Sequence, residues 1–188
     1  IHEALLERLD LARFPLGEAV TPELVRQVES ALESLIRENG VPLERRAHLA
    51  EELRDEALGY IEKNYRTINN RDNRAIGGFS RGGGQTLRTA FNNVDKFAYV
   101  CSYASYIAPA EMDKSFTNII SNPAKTNKDF KLLWSGIGTD DFLYKGTVEF
   151  EDYLKTKKIN YKSYVTDGGH TWMNVKKYLN ETLPVLFK

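Results

Sequence analysis

Five residues constrain this chain more than any others: Gly78-Phe79-Ser80-Arg81-Gly82. They separate a run that reads as a short strand, Arg74–Phe79, from one that reads as a helix, Gly83–Phe91. Passing from strand to helix in so few residues demands a sharp turn. G-x-S-x-G at such a turn holds its serine in a strained conformation above the sheet. Both flanking glycines are expected to be needed, because side chains there would meet neighbouring backbone. The serine oxygen then stands at a helix N-terminus, whose amides can hold an anionic oxygen. A glycine-rich phosphate loop is the competing reading. Its spacing fits no dinucleotide fingerprint, since Gly82 and Gly84 would need a third glycine where Leu87 stands.

The residues around this turn alternate between two periodicities. Phe97–Ser102, Lys131–Ile137 and Tyr161–Thr166 read as further strands; Val148–Lys157 and Trp172–Leu179 read as helices, and Tyr60–Tyr65 as a short helix or the end of one. Strands alternating with helices predict a parallel sheet with flanking helices, an α/β fold. The stretch from Tyr103 to Phe130 reads as loop-rich.

A nucleophilic serine needs a base, and the base needs an orienting acid. One histidine follows Ser80 in the chain: His170, in Gly168-Gly169-His170-Thr171-Trp172. It falls just after the last strand, on the rim where the serine turn also lies. The strand Lys131–Ile137 leads into Gly138-Thr139-Asp140-Asp141, which brings two aspartates to that rim. Asp167, three residues before His170, is a third candidate and more naturally shapes its own loop. The order Ser, Asp, His, each after a strand, points to acyl-transfer chemistry.

Charge divides the chain. Residues 1–60 hold 7 Arg, no Lys, 11 Glu and 2 Asp, a balance of −6; the rest balances at +6, for a formal net charge of zero. Asn rises from one residue before position 60 to twelve after it. The first part reads as three amphipathic helices. The second of these opens on Thr21-Pro22, a good N-cap followed by a residue that needs no amide hydrogen there. It closes on Asn39-Gly40, a C-cap pair. The expected division is therefore a helical segment, 1–59, and an α/β part, 60–188. His2 and His48 have no cysteine or histidine partner at ligand spacing. A neutral chain carries no basic footprint for nucleic acid. No apolar run approaches the roughly 18 residues of a membrane span. The N-terminus carries no basic-then-apolar signal segment, and the compartment stays open. One cysteine, Cys101, excludes an intrachain disulfide and disfavours a cysteine zinc site.

Two resemblances follow. Ile1-His2-Glu3-Ala4-Leu5-Leu6-Glu7-Arg8-Leu9-Asp10-Leu11 and Glu51-Glu52-Leu53-Arg54-Asp55-Glu56-Ala57-Leu58-Gly59 resemble the helical N-terminal segment of CpaF-type secretion ATPases. No Gly-x-x-x-x-Gly-Lys-Ser/Thr run is present, so that resemblance implies a packing or protein-contact module rather than a motor. The stretch Asn73 to Leu87 resembles the esterase D and feruloyl-esterase family of α/β-hydrolases. Asp95 to Val100, Lys131 to Trp134, Gly138 to Asp141 and Gly168 to Trp172 support it. The resemblance covers residues 60–188. It implies the C-terminal part of an α/β-hydrolase fold and a serine esterase with Ser80, Asp141 and His170 as its triad. It further implies the Arg81 amide as oxyanion donor and no cofactor or metal. Arg81 stands where the family often has Met. The implied substrate is an acyl ester of a plant polysaccharide, feruloyl or acetyl. Tyr103, Tyr106 and Trp172 fall near the predicted rim loops and are candidates to flank an aromatic acyl group; ordinary core or surface aromatics are the competing reading.

A complete α/β-hydrolase places several strands before its nucleophile strand, and the helical segment stands in their place here. Arg74–Phe79 is then expected to be an open sheet edge, prone to pairing. The second oxyanion amide, which this fold takes from a loop after an earlier strand, is expected to be missing, lowering activity. Self-association, or docking of the acidic helices, is the expected remedy. The alternatives are a non-catalytic helical interaction module or a joining of two unrelated fragments.

Overall fold

The computed structural model describes residue 55 and residues 58–188. The three helices expected before residue 58, with His2 and His48, lie outside the described residues. The chain divides into two units, Ile1–Thr67 and Ile68–Lys188. In the first, residues 58–64 are helical, in line with the short helix read there. Everything below concerns the second unit.

Four strands form it: β1 Ala75–Phe79, β2 Tyr99–Tyr103, β3 Leu132–Gly138 and β4 Lys162–Thr166. All pairs are parallel and the order is β1-β2-β3-β4. Helix α1, Arg81–Asn92, follows β1. Three short helices, α2 Pro109–Ser115, α3 Thr117–Ile120 and α4 Pro123–Asp129, join β2 to β3. Helix α5, Tyr144–Thr156, joins β3 to β4, and α6, Trp172–Thr182, closes the unit. The expected parallel α/β sheet is thus present. The span read as loop-rich is instead mostly helical. Pro109 and Pro123 occupy the first positions of α2 and α4, where a missing amide hydrogen costs nothing.

Strand alternation sorts the core into two layers. Val100 of β2 and Leu133 of β3 face a cluster with Leu87, Ala90 and Phe91 of α1, Met112 of α2, and Phe150 and Leu154 of α5. Tyr99, Cys101 and Tyr103 of β2, with Leu132 and Trp134 of β3, face α6 through Val175 and Tyr178. The central strands β2 and β3 are buried along their whole length, as a strand covered on both faces must be. Arg88 of α1 reaches Glu111 of α2 with two 2.7 Å hydrogen bonds, fastening the first short helix to the layer. Among the described residues β1 is an edge strand, half-buried, with Gly77 exposed.

Sequential parallel order has one consequence for chemistry. The carboxyl ends of all four strands open on the same rim, so the turns after β1, β3 and β4 converge there. Among the described residues no helix is long and apolar enough to cross a membrane, and no group of three or more His, Cys, Asp or Glu is placed to hold a metal ion.

Phe91 is fully buried between α1 and rings of Phe116 and Phe130. Phe91→Ala is expected to cost about 3–5 kcal/mol in denaturant unfolding. Trp172→Ala, on a side chain 74% exposed, is expected to stay within about 0.5 kcal/mol of the parent.

Candidate active site

Ser80 sits between β1 and α1 with φ 57° and ψ −122°. That is a sparsely populated region for a residue with a side chain, and it persists only where the surroundings impose it. Two backbone hydrogen bonds do so. The Ser80 amide donates to the Tyr103 carbonyl at 2.8 Å, and the Ser80 carbonyl accepts from the Gly84 amide at 3.1 Å. Space is the other requirement. A Cβ at Gly78 would lie 2.4 Å from the Gly82 carbonyl oxygen, and one at Gly83 would lie 2.8 Å from Ser105 Cβ and 2.9 Å from the Gly78 carbonyl oxygen. Gly82 differs from expectation: a Cβ there would meet nothing within 4 Å. The crowded pair is Gly78 with Gly83, because the first turn of α1 rolls its Gly82–Gly83 backbone over β1.

Serine at a helix N-cap ordinarily accepts a hydrogen bond from an amide two or three residues on. Ser80 occupies that position and its side chain makes no capping bond. The first amides of a helix lack intrahelical acceptors, and Arg81 is the first residue of α1. Its N–H therefore lies beside Ser80, at the positive end of the helix dipole.

The acid and the imidazole meet. Asp141 Oδ2 lies 2.7 Å from His170 Nδ1, and the Asp141 side chain is 1% exposed. Its second oxygen, Oδ1, accepts from the Leu143 amide at 2.9 Å. The turn after β3 explains the choice between neighbouring aspartates. The Asp141 amide donates to the Gly138 carbonyl, which folds Asp141 back under the rim, while Asp140 stays exposed. Because a carboxylate only accepts, Nδ1 of His170 is the donor in this contact. Asp167 is also exposed and bonds to Lys177 Nζ and Thr166 Oγ1. The Lys177 ammonium first, and the Thr166 hydroxyl next, hold its carboxyl below the usual carboxylate range. It braces the β4–α6 loop and does not reach the imidazole.

The His170 loop is held tightly against β3. A Cβ on Gly138 would lie 2.0 Å from the Gly168 carbonyl oxygen, and Gly168 itself has φ +86°, a conformation suited to glycine. Buried Asn174 of α6 donates from Nδ2 to the Gly169 carbonyl at 2.9 Å. The imidazole ring has two aromatic neighbours. Phe79 stacks on it with centroids 4.5 Å apart and planes at 28°; Phe142 lies at 4.6 Å and 50°. Trp172 lies 5.2 Å from Phe79. The structure thus brings Asp141 onto His170 and the residue before Ser80 onto the same ring. Among the described residues, no hydrogen bond joins Ser80 Oγ to the imidazole. Such contacts are often long before substrate binds.

Of the three aromatics expected around an acyl group, one is exposed on the rim. Trp172 is 74% exposed. Tyr103 is buried in the α6 layer, its hydroxyl 2.7 Å from Thr182 Oγ1, and burial pushes that phenol up to about 12. It sits on β2 in register with Phe79, so strand alternation sends it into the core. Tyr106 packs against the other layer, where a Cβ on Gly146 would strike its ring. Phe79, Phe142 and Asn174 went unrecognised in the sequence, although Phe79 lies inside the five-residue turn and Phe142 directly follows Asp141.

Fold and site together are those of an α/β-hydrolase-type domain: a parallel sheet, a serine at a strand-to-helix turn, and an Asp–His pair on the same rim. The "Putative esterase" family profile matches residues 29–186, and the chain belongs to that family. A ferulic acid esterase structure is 28% identical, with a TM-score of 0.59 over 71% of this chain and 58% of its own. A fluorophosphonate-binding serine hydrolase of Staphylococcus aureus, FphF, is 19% identical, with a TM-score of 0.62 over 73% and 63%. A ferulic acid esterase of Anaeromyces mucronatus, solved with ferulic acid, is 18% identical, with a TM-score of 0.59 over 91% and 60%. The chain therefore spans about three fifths of the length of these structures. The family match begins at residue 29, inside the stretch read as resembling a CpaF-type segment, and these matches give that resemblance no support.

The two glycines flanking Ser80 are expected to separate on mutation. Gly78→Ala, forced against backbone, is expected to lose about 2 kcal/mol or more of stability. Gly82→Ala, facing open space, is expected to stay within about 0.5 kcal/mol. Thermal or denaturant unfolding of both variants checks this.

Proposed function

We propose that this chain is a serine carboxylic-ester hydrolase with Ser80 as nucleophile, His170 as general base and Asp141 as the orienting acid. The observation that carries the reading is the pairing of a strained serine whose hydroxyl caps nothing with a 2.7 Å Asp141–His170 contact on the same rim. Membership of the esterase family agrees with it.

The steps follow from the atoms. Ser80 Oγ attacks the ester carbonyl carbon while His170 Nε2 takes its proton. Asp141 holds the Nδ1–H tautomer and stabilises the imidazolium that forms. The carbonyl oxygen becomes an oxyanion within reach of the Arg81 amide. Collapse of the tetrahedral intermediate breaks the carbon–oxygen bond of the ester, and the departing alkoxide takes the proton from Nε2. Water, deprotonated by the same nitrogen, then cleaves the acyl-serine and restores the hydroxyl. This chemistry needs no metal or organic cofactor.

The proposed substrate is a feruloyl or acetyl ester of a plant polysaccharide. Similarity to a ferulic acid esterase supports this class, and exposed Trp172 beside Phe79 supplies an aromatic face at the rim. Turnover is proposed to be low. This reading assigns one oxyanion donor, the Arg81 amide, and an oxyanion hole short of one donor loses about 10²–10³ in turnover.

Hydrolysis of p-nitrophenyl acetate tests the assignment. Ser80→Ala is expected to abolish turnover above background. Asp141→Asn is expected to lower kcat by about 10⁴, through the wrong imidazole tautomer. Asp140→Asn is expected to change it by less than about threefold, because that side chain is exposed and unbonded to the ring. Undiminished hydrolysis by Ser80→Ala would remove the assignment.

A further inference from the structure

We infer that Phe79 is a positioning residue that registers the imidazole of His170 to the nucleophile. The inference rests on the triad reading above and assigns a role to a residue that the triad chemistry leaves unused.

A single hydrogen bond fixes one atom of an imidazole and leaves the ring free to tilt about the bond. Asp141 supplies that bond at Nδ1. It does not set the direction in which Nε2 points. A flat partner against the ring face does, because stacked rings resist tilting away from their preferred offset arrangement. Phe79 is the flat partner, with centroids 4.5 Å apart and planes only 28° from parallel. Phe142 meets the same ring at 50° but is 76% exposed, and a side chain so solvated holds its own position weakly.

The location of Phe79 makes the contact informative. It is the last residue of β1 and the immediate neighbour of Ser80. Its ring faces the α6 layer, with Ala75 of the same strand, while the next residue turns into the elbow. Backbone therefore ties the stacking ring to the attacking oxygen through one peptide unit. A displacement of the β1 terminus carries both together, so the imidazole follows the nucleophile. Trp172 also contacts Phe79, with ring centroids 5.2 Å apart.

Three measurements on the full chain decide the matter: kcat and KM on p-nitrophenyl acetate, the downfield proton resonance of His170 Nδ1–H, and the unfolding midpoint. His170→Ala identifies the resonance. Phe79→Leu keeps an apolar side chain but loses the flat face. It is expected to lower kcat by about 10²-fold while KM moves less than about threefold. Its Nδ1–H resonance is expected to broaden through ring motion. Phe79→Tyr restores the flat face and is expected to restore the resonance, with kcat within about threefold of the parent. If Phe79→Leu does not fold, Phe79→Met carries the same expectations. A sharp Nδ1–H resonance in the leucine or methionine variant overturns the inference, as does a tyrosine variant no better than leucine. The resonance does not depend on turnover. A parent inactive toward esters would therefore count against the esterase reading, while the resonance would still decide the role of Phe79.

Discussion

The contact between Gly78 and the Gly82 backbone governs the rest of this molecule. Where a Cβ would lie 2.4 Å from a carbonyl oxygen, only a bare α-carbon lets α1 begin immediately after β1. That tight passage forces Ser80 to φ 57°, points its amide to Tyr103 and its carbonyl to Gly84, and leaves the hydroxyl uncapped. The strain is offset by the sheet on one side and by Leu87, Ala90 and Phe91 of α1, locked into the core, on the other. A residue held in this way has lost its alternatives. Its oxygen is presented without further rearrangement, the condition under which positioned groups accelerate reactions most.

Topology then brings the partners. In a sheet ordered β1-β2-β3-β4 with every pair parallel, each carboxyl end feeds a turn on one rim, and an acid and an imidazole need only the right turn to meet there. Two close backbone approaches make those turns. Asp141 folds back through its amide to Gly138, and Gly138 in turn lets the Gly168 carbonyl approach because it carries no side chain. The Asp141–His170 contact is thus the meeting of two glycine-dependent loops, with Asn174 and Asp167 bracing the second. Phe79 and Phe142 flank the imidazole, and Trp172 packs on Phe79.

Much of this was legible in the sequence, for identifiable reasons. The five-residue turn carries its own local signature, and strands such as Lys131–Ile137 are short apolar runs bounded by glycine. Chain order then ranked His170. Asp141 was preferred to Asp140 on the family resemblance, since residue type does not distinguish them; the turn that tucks Asp141 inward supplies the physical reason. What escaped notice depends on tertiary geometry. Tyr103 looked like a rim residue because the strand was read as ending at Ser102, yet β2 includes it and the alternation points it at Tyr178. The helices between β2 and β3 are four to seven residues long, too short to show a helical period, although Pro109 and Pro123 marked two of their starts. Gly82 was expected to be crowded because it belongs to the motif; the geometry gives the crowding to Gly78 and Gly83.

The central claim is that the elbow makes one serine in this chain a nucleophile. Treating the folded chain with a fluorophosphonate probe and locating the adduct by peptide mass spectrometry tests it most directly, since the probe reports serine reactivity without requiring a correct substrate. One adduct, on the peptide carrying Ser80 and absent after unfolding, is the expected result. An adduct on another serine, or labelling that persists in Ser80→Ala, would contradict it.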